Sequence, residues 1–295
     1  MSLLQLIQCL TVAYLLQTGL IVEVFQTTHG KPNTVDVVKR FLGLGVFQRG
    51  DCQFENPKPV LGLYPTNVKC PQNYHGDCRD ILESPASINT PNGFYGLEPD
   101  SGEPPIFAYC DMEAGGWTVI QQRVRGSIDF ERRNFNEYKL GFGIKYGSKD
   151  FWIGLDNIYR LTDAVNSGSP YTLRIELDYS TGKTWLAEYS DFKILDENTK
   201  YKLVIGTYNG TAGDAMGSQN GTEFSVGSYD HARTLYDTCD VTHRSGGWWF
   251  TNNCNHANLN GEYRPEYNNL GIVWDTLINT GPISQVRMMI RRKEK

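Results

Sequence analysis

The sequence predicts an α+β domain dominated by antiparallel sheet, with a long loop-rich C-terminal region, and three observations carry that prediction. Tyr171-Thr172-Leu173-Arg174-Ile175-Glu176-Leu177 alternates apolar and polar residues, as do Lys183 to Phe192 and Val286 to Ile290, the period-2 pattern of half-buried strands. Helix signals are few and short. Residues 209–279 are rich in glycine and asparagine without a sustained period, and loops of that length in a compact domain are usually functional or stapled.

Taken in chain order, the first 30 residues contain no Lys or Arg, and Leu3 to Val22 is largely apolar. Residues 1–22 therefore read as a signal peptide lacking the usual basic start. Gln5, Gln8, Gln17 and Glu23 count against the rival reading, a membrane anchor, because a spanning helix wants about 20 apolar residues. Residues 23–69 read as a linker or N-terminal extension with a short amphipathic helix around Val35 to Leu42. They show neither heptads nor a Gly-X-Y repeat. Residues 70–295 are the folded domain. Within it, Asn134 is placed to cap a helix running toward Leu140, and Asp156 to cap one through Ile158, Tyr159 and Leu161.

The whole sequence narrows the classes of function. Its 295 residues, 40% hydrophobic, suffice for one large or two ordinary domains with a buried core. A formal charge of −5 gives no broad basic field, so nucleic acid and anionic membrane surfaces are poor default partners. Seven cysteines, at positions 9, 52, 70, 78, 110, 239 and 254, lack C-x-x-C pairs and suit disulfides in an exported protein rather than zinc. Removal of Cys9 with a signal peptide would leave six. Asn209-Gly210-Thr211 and Asn220-Gly221-Thr222 are glycosylation acceptor patterns, making Asn209 and Asn220 candidate sites in a secreted protein.

The run Gly246-Gly247-Trp248-Trp249-Phe250-Thr251-Asn252-Asn253-Cys254-Asn255-His256-Ala257-Asn258-Leu259-Asn260-Gly261 has the composition of a shaped binding loop. Aromatic faces can receive apolar groups, while amides orient polar ones. Histidines 29, 75, 231, 243 and 256, with Ser245 near His243, form no G-x-S-x-G elbow, H-E-x-x-H helix or phosphate-cradling glycine motif. The protein therefore reads as a non-enzyme.

Several motifs resemble a known family in composition and order. They are Cys78-Arg79-Asp80-Ile81-Leu82, Tyr109-Cys110-Asp111-Met112, Gly115-Gly116-Trp117-Thr118-Val119, Phe151-Trp152-Ile153-Gly154-Leu155-Asp156-Asn157-Ile158, Ala212-Gly213-Asp214 and Asn258-Leu259-Asn260-Gly261. Together, across roughly residues 70 to 292, they resemble the fibrinogen C-terminal domain family, including its ficolin-like and tachylectin-like lectins. The resemblance implies bonds Cys78–Cys110 and Cys239–Cys254, a central antiparallel sheet, and calcium and ligand sites in the C-terminal loops. A bridge from Cys239 to Cys254 would close a loop of about 15 residues, worth about 3 kcal/mol in the chain-entropy model. Cys52 and Cys70 lie outside these pairs and either bond to each other or join subunits into a homo-oligomer.

The family's calcium site resembles an Asp-x-Asp segment followed by carbonyl ligands, which here falls on Ser228, Asp230, Ala232 and Thr234. Ser228 stands where the first acid is expected, Arg233 adds positive charge, and one extra residue precedes Cys239. Calcium wants 6–8 oxygens and ligand charge tunes its affinity, so a weakened site is expected unless Asp237 or Asp240 compensates. In the lectin branch, acetylated sugars dock beside the second bridge. By position that implies Asn253, Cys254, Asn255 and His256 for the polar turn, with Tyr267 and Asn268 for part of the wall. The family often has His directly after this cysteine, whereas Asn255 stands there and His256 follows.

A non-proline cis bond at Asn253–Cys254 is also implied by the resemblance. Gly281-Pro282-Ile283 lacks the aromatic that acetyl-binding relatives present before the final strand, which leaves Tyr263 or Tyr267 to supply that wall. Trp248 and Trp249 are expected in the core, as are Trp117, Trp152 and Trp274. The functional expectation is a secreted lectin for acetylated glycans or glycoproteins on microbial or cell surfaces, in innate defence. An angiopoietin-like module for a receptor or matrix protein is the alternative.

Overall fold

The computed structural model describes residues 68–69, 75–84, 90–100, 103–124, 126–143, 150–163, 169–179, 182–226, 246–251, 256–263, 271–280 and 282–294. Within these, alternation becomes sheet. Strands β1 (Val68–Lys69), β2 (Gly93–Leu97), β3 (Ile106–Asp111), β4 (Trp117–Arg123), β5 (Phe151–Trp152), β6 (Tyr171–Tyr179), β7 (Thr184–Ile194), β8 (Leu203–Val204), β9 (Tyr208–Gly210) and β12 (Ile283–Arg292) form one sheet. Its order is β1-β2-β3-β4-β12-β6-β7-β8, with β5 beside β4 and β9 beside β7. Only the β1–β2 contact is parallel; the C-terminal strand β12 returns to the middle, between β4 and β6. Two further strands, β10 (Ala257–Asn258) and β11 (Val273–Trp274), pair as a separate antiparallel ladder.

The predicted strands are present and slightly longer than their alternating cores, and β6 buries every second residue from Tyr171 to Tyr179. Strand β1 extends the sheet into what the sequence assigns to the linker. Two residues held by backbone pairing offer no periodicity to read.

Strand β12 departs from strict alternation. Its register against β4 shifts between Met288 and Met289, which face Gln121 and Val119. A bulge of this kind re-aims the side chains beyond it. Trp117 and Arg123 would share a face in a regular strand. Instead Trp117 packs against Arg174 and Arg291, while Arg123 reaches the opposite way, toward Leu259 and Gly261.

Among the described residues three short α-helices flank the sheet: α1 (Cys78–Glu83), α2 (Phe135–Leu140) and α3 (Leu155–Thr162). Asn134 caps α2 as the sequence predicts. Its side chain accepts from Glu137 N at 2.9 Å, and Glu137 returns a bond from the Asn134 amide at 3.0 Å. The prediction for Asp156 is corrected: Gly154 occupies the cap of α3 without a side-chain bond, and Asp156 lies inside the first turn, accepting from the Tyr201 hydroxyl. Gly154 has φ +108°, and a Cβ there would meet the backbone of Lys139, Leu140 and Gly141. Close passage of α2 therefore decides the cap position.

The core holds Trp117, Trp152, Trp248, Trp249 and Trp274, all essentially inaccessible. Trp248, Trp249, Phe224 and Trp152 pack ring on ring at 5.2–6.3 Å between centroids. Cys78 at the start of α1 and Cys110 in β3 are joined by a disulfide, Cα to Cα 5.4 Å, which ties the first helix to the sheet.

Candidate functional site

The C-terminal segments are fastened to the sheet by a buried polar hub at the end of β4. Gln121 Nε2 donates to the Leu259 carbonyl and to Asn260 Oδ1, both at 3.0 Å. Arg123 Nη1 donates to the carbonyls of Leu259, at 3.2 Å, and Gly261. Asn260 in turn donates through Nδ2 to the Gly247 carbonyl at 2.8 Å, and its amide meets Asn258 Oδ1 at 3.1 Å. Three buried side chains thus join both ends of the Gly246–Gly261 run to the sheet.

Arg123 is fully buried, with its guanidinium carbon 4.2 Å from the Phe130 ring centre. Burial pushes its pKa down to about 10, with only partial compensation from more distant groups. Its Nε and Nη2, Gln121 Oε1 and Asn258 Nδ2 have no hydrogen-bond partner among the described residues. Groups of this kind in a native interior are usually met by ordered water. Beside the hub, the backbone of Gly261 and Gly271 is in such close approach that a Cβ on either would enter the neighbouring backbone. The two ends of the segment carrying Tyr267 and Asn268 are therefore held together.

His256 and Asp275 meet where the β10–β11 ladder ends. His256 Nδ1 lies 2.8 Å from Asp275 Oδ2, and the Asp275 amide donates to the His256 carbonyl at 2.8 Å. Both side chains are partly exposed, while Asp275 Oδ1 is buried without a partner among the described residues. A carboxylate on Nδ1 favours the Nδ1–H tautomer, leaving Nε2 as an acceptor. Such an imidazole can receive an N–H or O–H from a bound molecule.

Of the predicted ligand residues, His256 lies in the described structure; Asn253, Cys254, Asn255, Tyr267 and Asn268 lie outside it. So do the calcium candidates Ser228, Asp230, Ala232 and Thr234, the bridge cysteine Cys239, the proposed cis bond, and Cys52 and Cys70. Among the described residues no group of three His, Cys, Asp or Glu side chains gathers as a metal site. Asn209 is exposed on β9, and Asn220 is exposed with its Oδ1 accepting from Ile205 N at 3.1 Å.

Tyr263 does not stand free as an aromatic wall. Its hydroxyl donates to the carbonyls of Ser284, at 2.7 Å, and Val124, at 3.2 Å. The apolar half of the aromatic run is scaffold too: Trp248 Nε1 donates to Gln219 Oε1 at 3.1 Å and Trp249 Nε1 to the Tyr201 carbonyl at 2.8 Å. Sequence reasoning missed Gln121, Arg123 and Asp275. The available signal for the first two was the run of three polar residues, Gln121, Gln122 and Arg123, ending a strand that begins Trp-Thr-Val-Ile.

The comparisons with known proteins agree with this architecture. The chain is 39% identical over 218 residues to fibrinogen-like protein A of Apostichopus parvimensis, covering 72% of this chain and 73% of the relative. It is 34% identical to human ficolin-3, covering 73% and 70%. It is 35% identical to human angiopoietin-related protein 1, covering 76% of this chain but 48% of that longer relative. Among solved structures, the fibrinogen-like globe domain of human ANGPTL2 superposes with a TM-score of 0.61 at 33% identity, covering 75% of this chain and all of that one. The family model for the C-terminal globular domain of the fibrinogen beta and gamma chains matches residues 74–293. The protein belongs to the fibrinogen C-terminal domain family.

Proposed function

We propose that this protein is a secreted, non-enzymatic recognition protein that binds acetylated glycans beside the second cysteine bridge, with a role in innate defence. The His256–Asp275 pair carries the reading. It fixes an imidazole acceptor two residues after Cys254, at the position implied for the polar side of an acetamide site. Similarity to ficolin-3 supports the lectin class. Single sugar sites are weak, so avidity through a homo-oligomer joined at Cys52 or Cys70 belongs to the proposal. Exposed Asn209 and Asn220 are its glycan acceptors.

Calcium is proposed as a weak ligand of Asp230, Ser228 and the Ala232 and Thr234 carbonyls. This donor set has one carboxylate, and ligand charge tunes calcium affinity.

The test is retention of the secreted oligomer on immobilised N-acetylglucosamine, with calcium or chelator, followed by elution with free acetylated or non-acetylated sugars. Acetyl-specific elution, reduced at least tenfold in His256→Ala, is the expected result. No retention of folded protein would overturn it.

A second reading, an angiopoietin-like protein binder, is favoured by one observation. With Tyr263 hydrogen-bonded into the scaffold, the missing aromatic wall falls to Tyr267 alone, which lies outside the described residues. A protein partner would be retained in the presence of free N-acetyl sugars.

A further inference from the structure

On the opposite side of the sheet from the hub, Trp117 lies beneath two guanidinium groups. The Arg174 and Arg291 carbons are 4.2 and 4.6 Å from its ring centre. They are therefore within about 9 Å of each other, close to a Debye length at physiological salt. Arg79, at the start of α1, adds a third positive charge felt at Arg291.

The three cations are not equally satisfied. Arg174 pairs with Glu188 at 2.6 Å, and Arg79 with Glu83 at 2.6 Å and Glu294 at 3.2 Å. Arg291 has no carboxylate within ion-pair distance among the described residues. Its nearest acceptor is the Gly115 carbonyl at 3.5 Å, a weak contact. Its pKa is lowered first by burial and then by the charges of Arg174 and Arg79, while Glu188 and Glu294 act in the opposite sense. Stacking on an indole explains how the guanidinium is held flat. It does not explain a partly desolvated cation left beside two others, since buried charges are normally paired.

We propose that Arg291, flanked by Arg174 and Arg79, binds an oxyanion substituent, a sulfate or carboxylate, on an acidic saccharide. The planar guanidinium presents paired donors matched to such oxygens. The surrounding face suits a saccharide. Phe94, Tyr109, Val119, Met289, Arg174 and Glu188 form one cross-strand row; Val119 and Met289 are fully buried, so what it presents is the half-buried rings of Phe94 and Tyr109 at one end and the oppositely charged Arg174 and Glu188 at the other. A long polyanion is disfavoured by the protein's net charge of −5. This surface is separate from the acetyl site and stands or falls independently of it.

The experiment is calorimetric titration of the full-length secreted protein with a sulfated disaccharide, its desulfated counterpart and sodium sulfate. Expected are binding of the sulfated disaccharide that weakens with added salt, at least tenfold weaker binding of the desulfated sugar, and at least tenfold loss in Arg291→Gln. Arg132→Gln, which alters an exposed arginine remote in sequence, should match wild type. Glu188→Gln, which frees Arg174, should bind several-fold tighter and decides the matter if Arg291→Gln fails to fold. Equal affinity for both disaccharides, or unchanged affinity in the Arg291 and Glu188 variants, overturns the site. Sulfate alone binding as tightly as the sulfated sugar overturns the saccharide assignment.

Discussion

Replacing Arg123 with methionine sets two large effects against each other. The substitution removes charge-assisted hydrogen bonds to the Gly261 and Leu259 carbonyls and a stacking contact on Phe130. Hydrogen bonds from charged groups contribute about 1.5–3 kcal/mol each, and a desolvated cation–π contact about 2. Leu259 retains a bond from Gln121, so the full loss falls only on Gly261. Against this stands the cost of burying the charge. A pKa pushed from the ordinary arginine value down to about 10 corresponds to roughly 3 kcal/mol at about 1.36 kcal/mol per unit. Methionine fills much of the same space, so the net destabilisation should be only about 1–2 kcal/mol, whereas Arg123→Ala adds a cavity and should cost about 4.

Denaturant melts of the two variants measure this difference, and hydrogen exchange at residues 256–263 should show the local loosening. The pH dependence has a definite sign. Arg123 has a lowered folded-state pKa, so between about 10 and the ordinary arginine value the unfolded state holds a proton that the native state lacks. Wild type therefore gains stability over the methionine variant as pH rises through that window. A methionine variant as unstable as the alanine one, or a difference that moves the other way above pH 9, would refute the assigned balance.

Other substitutions separate local from global effects. Asn134→Ala breaks both halves of the capping box and should cost about 1 kcal/mol by thermal melt; Asn134→Asp should restore most of it. Alanine at Cys78 and Cys110 together opens a disulfide spanning 32 positions, with an expected loss of about 4 kcal/mol in the chain-entropy model, read from denaturant midpoints. Asp77 caps α1, accepts from Tyr171 at 2.7 Å, and has its pKa raised by burial and then by Asp80. The native state therefore takes up the Asp77 proton before the unfolded state does. Wild type should gain stability relative to Asp77→Asn as pH falls through the raised value, then level off below about 3.8. Paired acid melts showing the opposite slope would reject that environment.

The long strands were legible because period 2 survives over β6 and most of β7. Two-residue strands such as β5, β8, β10 and β11 are shorter than any pattern that could announce them. The motif residues placed the family, yet the hub escaped sequence reasoning for a definite reason. Counting by twos puts Arg123 with Trp117, and only the register shift opposite Met288 and Met289 sends it to the other side. Asp275 escaped differently. It is 19 positions from His256, and the contact is made by a ladder of two residue pairs rather than by a local spacing rule. Asp156 was misjudged because its N-cap chemistry was plausible, whereas the close backbone of α2 left room only for glycine at the cap.

The attachment of the C-terminal segments bears directly on how one scaffold serves different ligands. Trp248 and Trp249 are anchored on one side of residues 252–255, and His256 is held by Asp275 on the other. Gly261 and Gly271 likewise fix the flanks of residues 264–270 through Arg123 and their own close approach. Ends held by buried groups reduce the conformational freedom that binding must remove, wherever the contacting residues themselves lie. In the proposed lectin, Asn255 in place of histidine would then alter recognition without touching Gln121, Arg123 or Asn260. The hub therefore fixes where residues 252–255 and 264–270 start and stop, so that in the proposed lectin stability and specificity would rest on different residues.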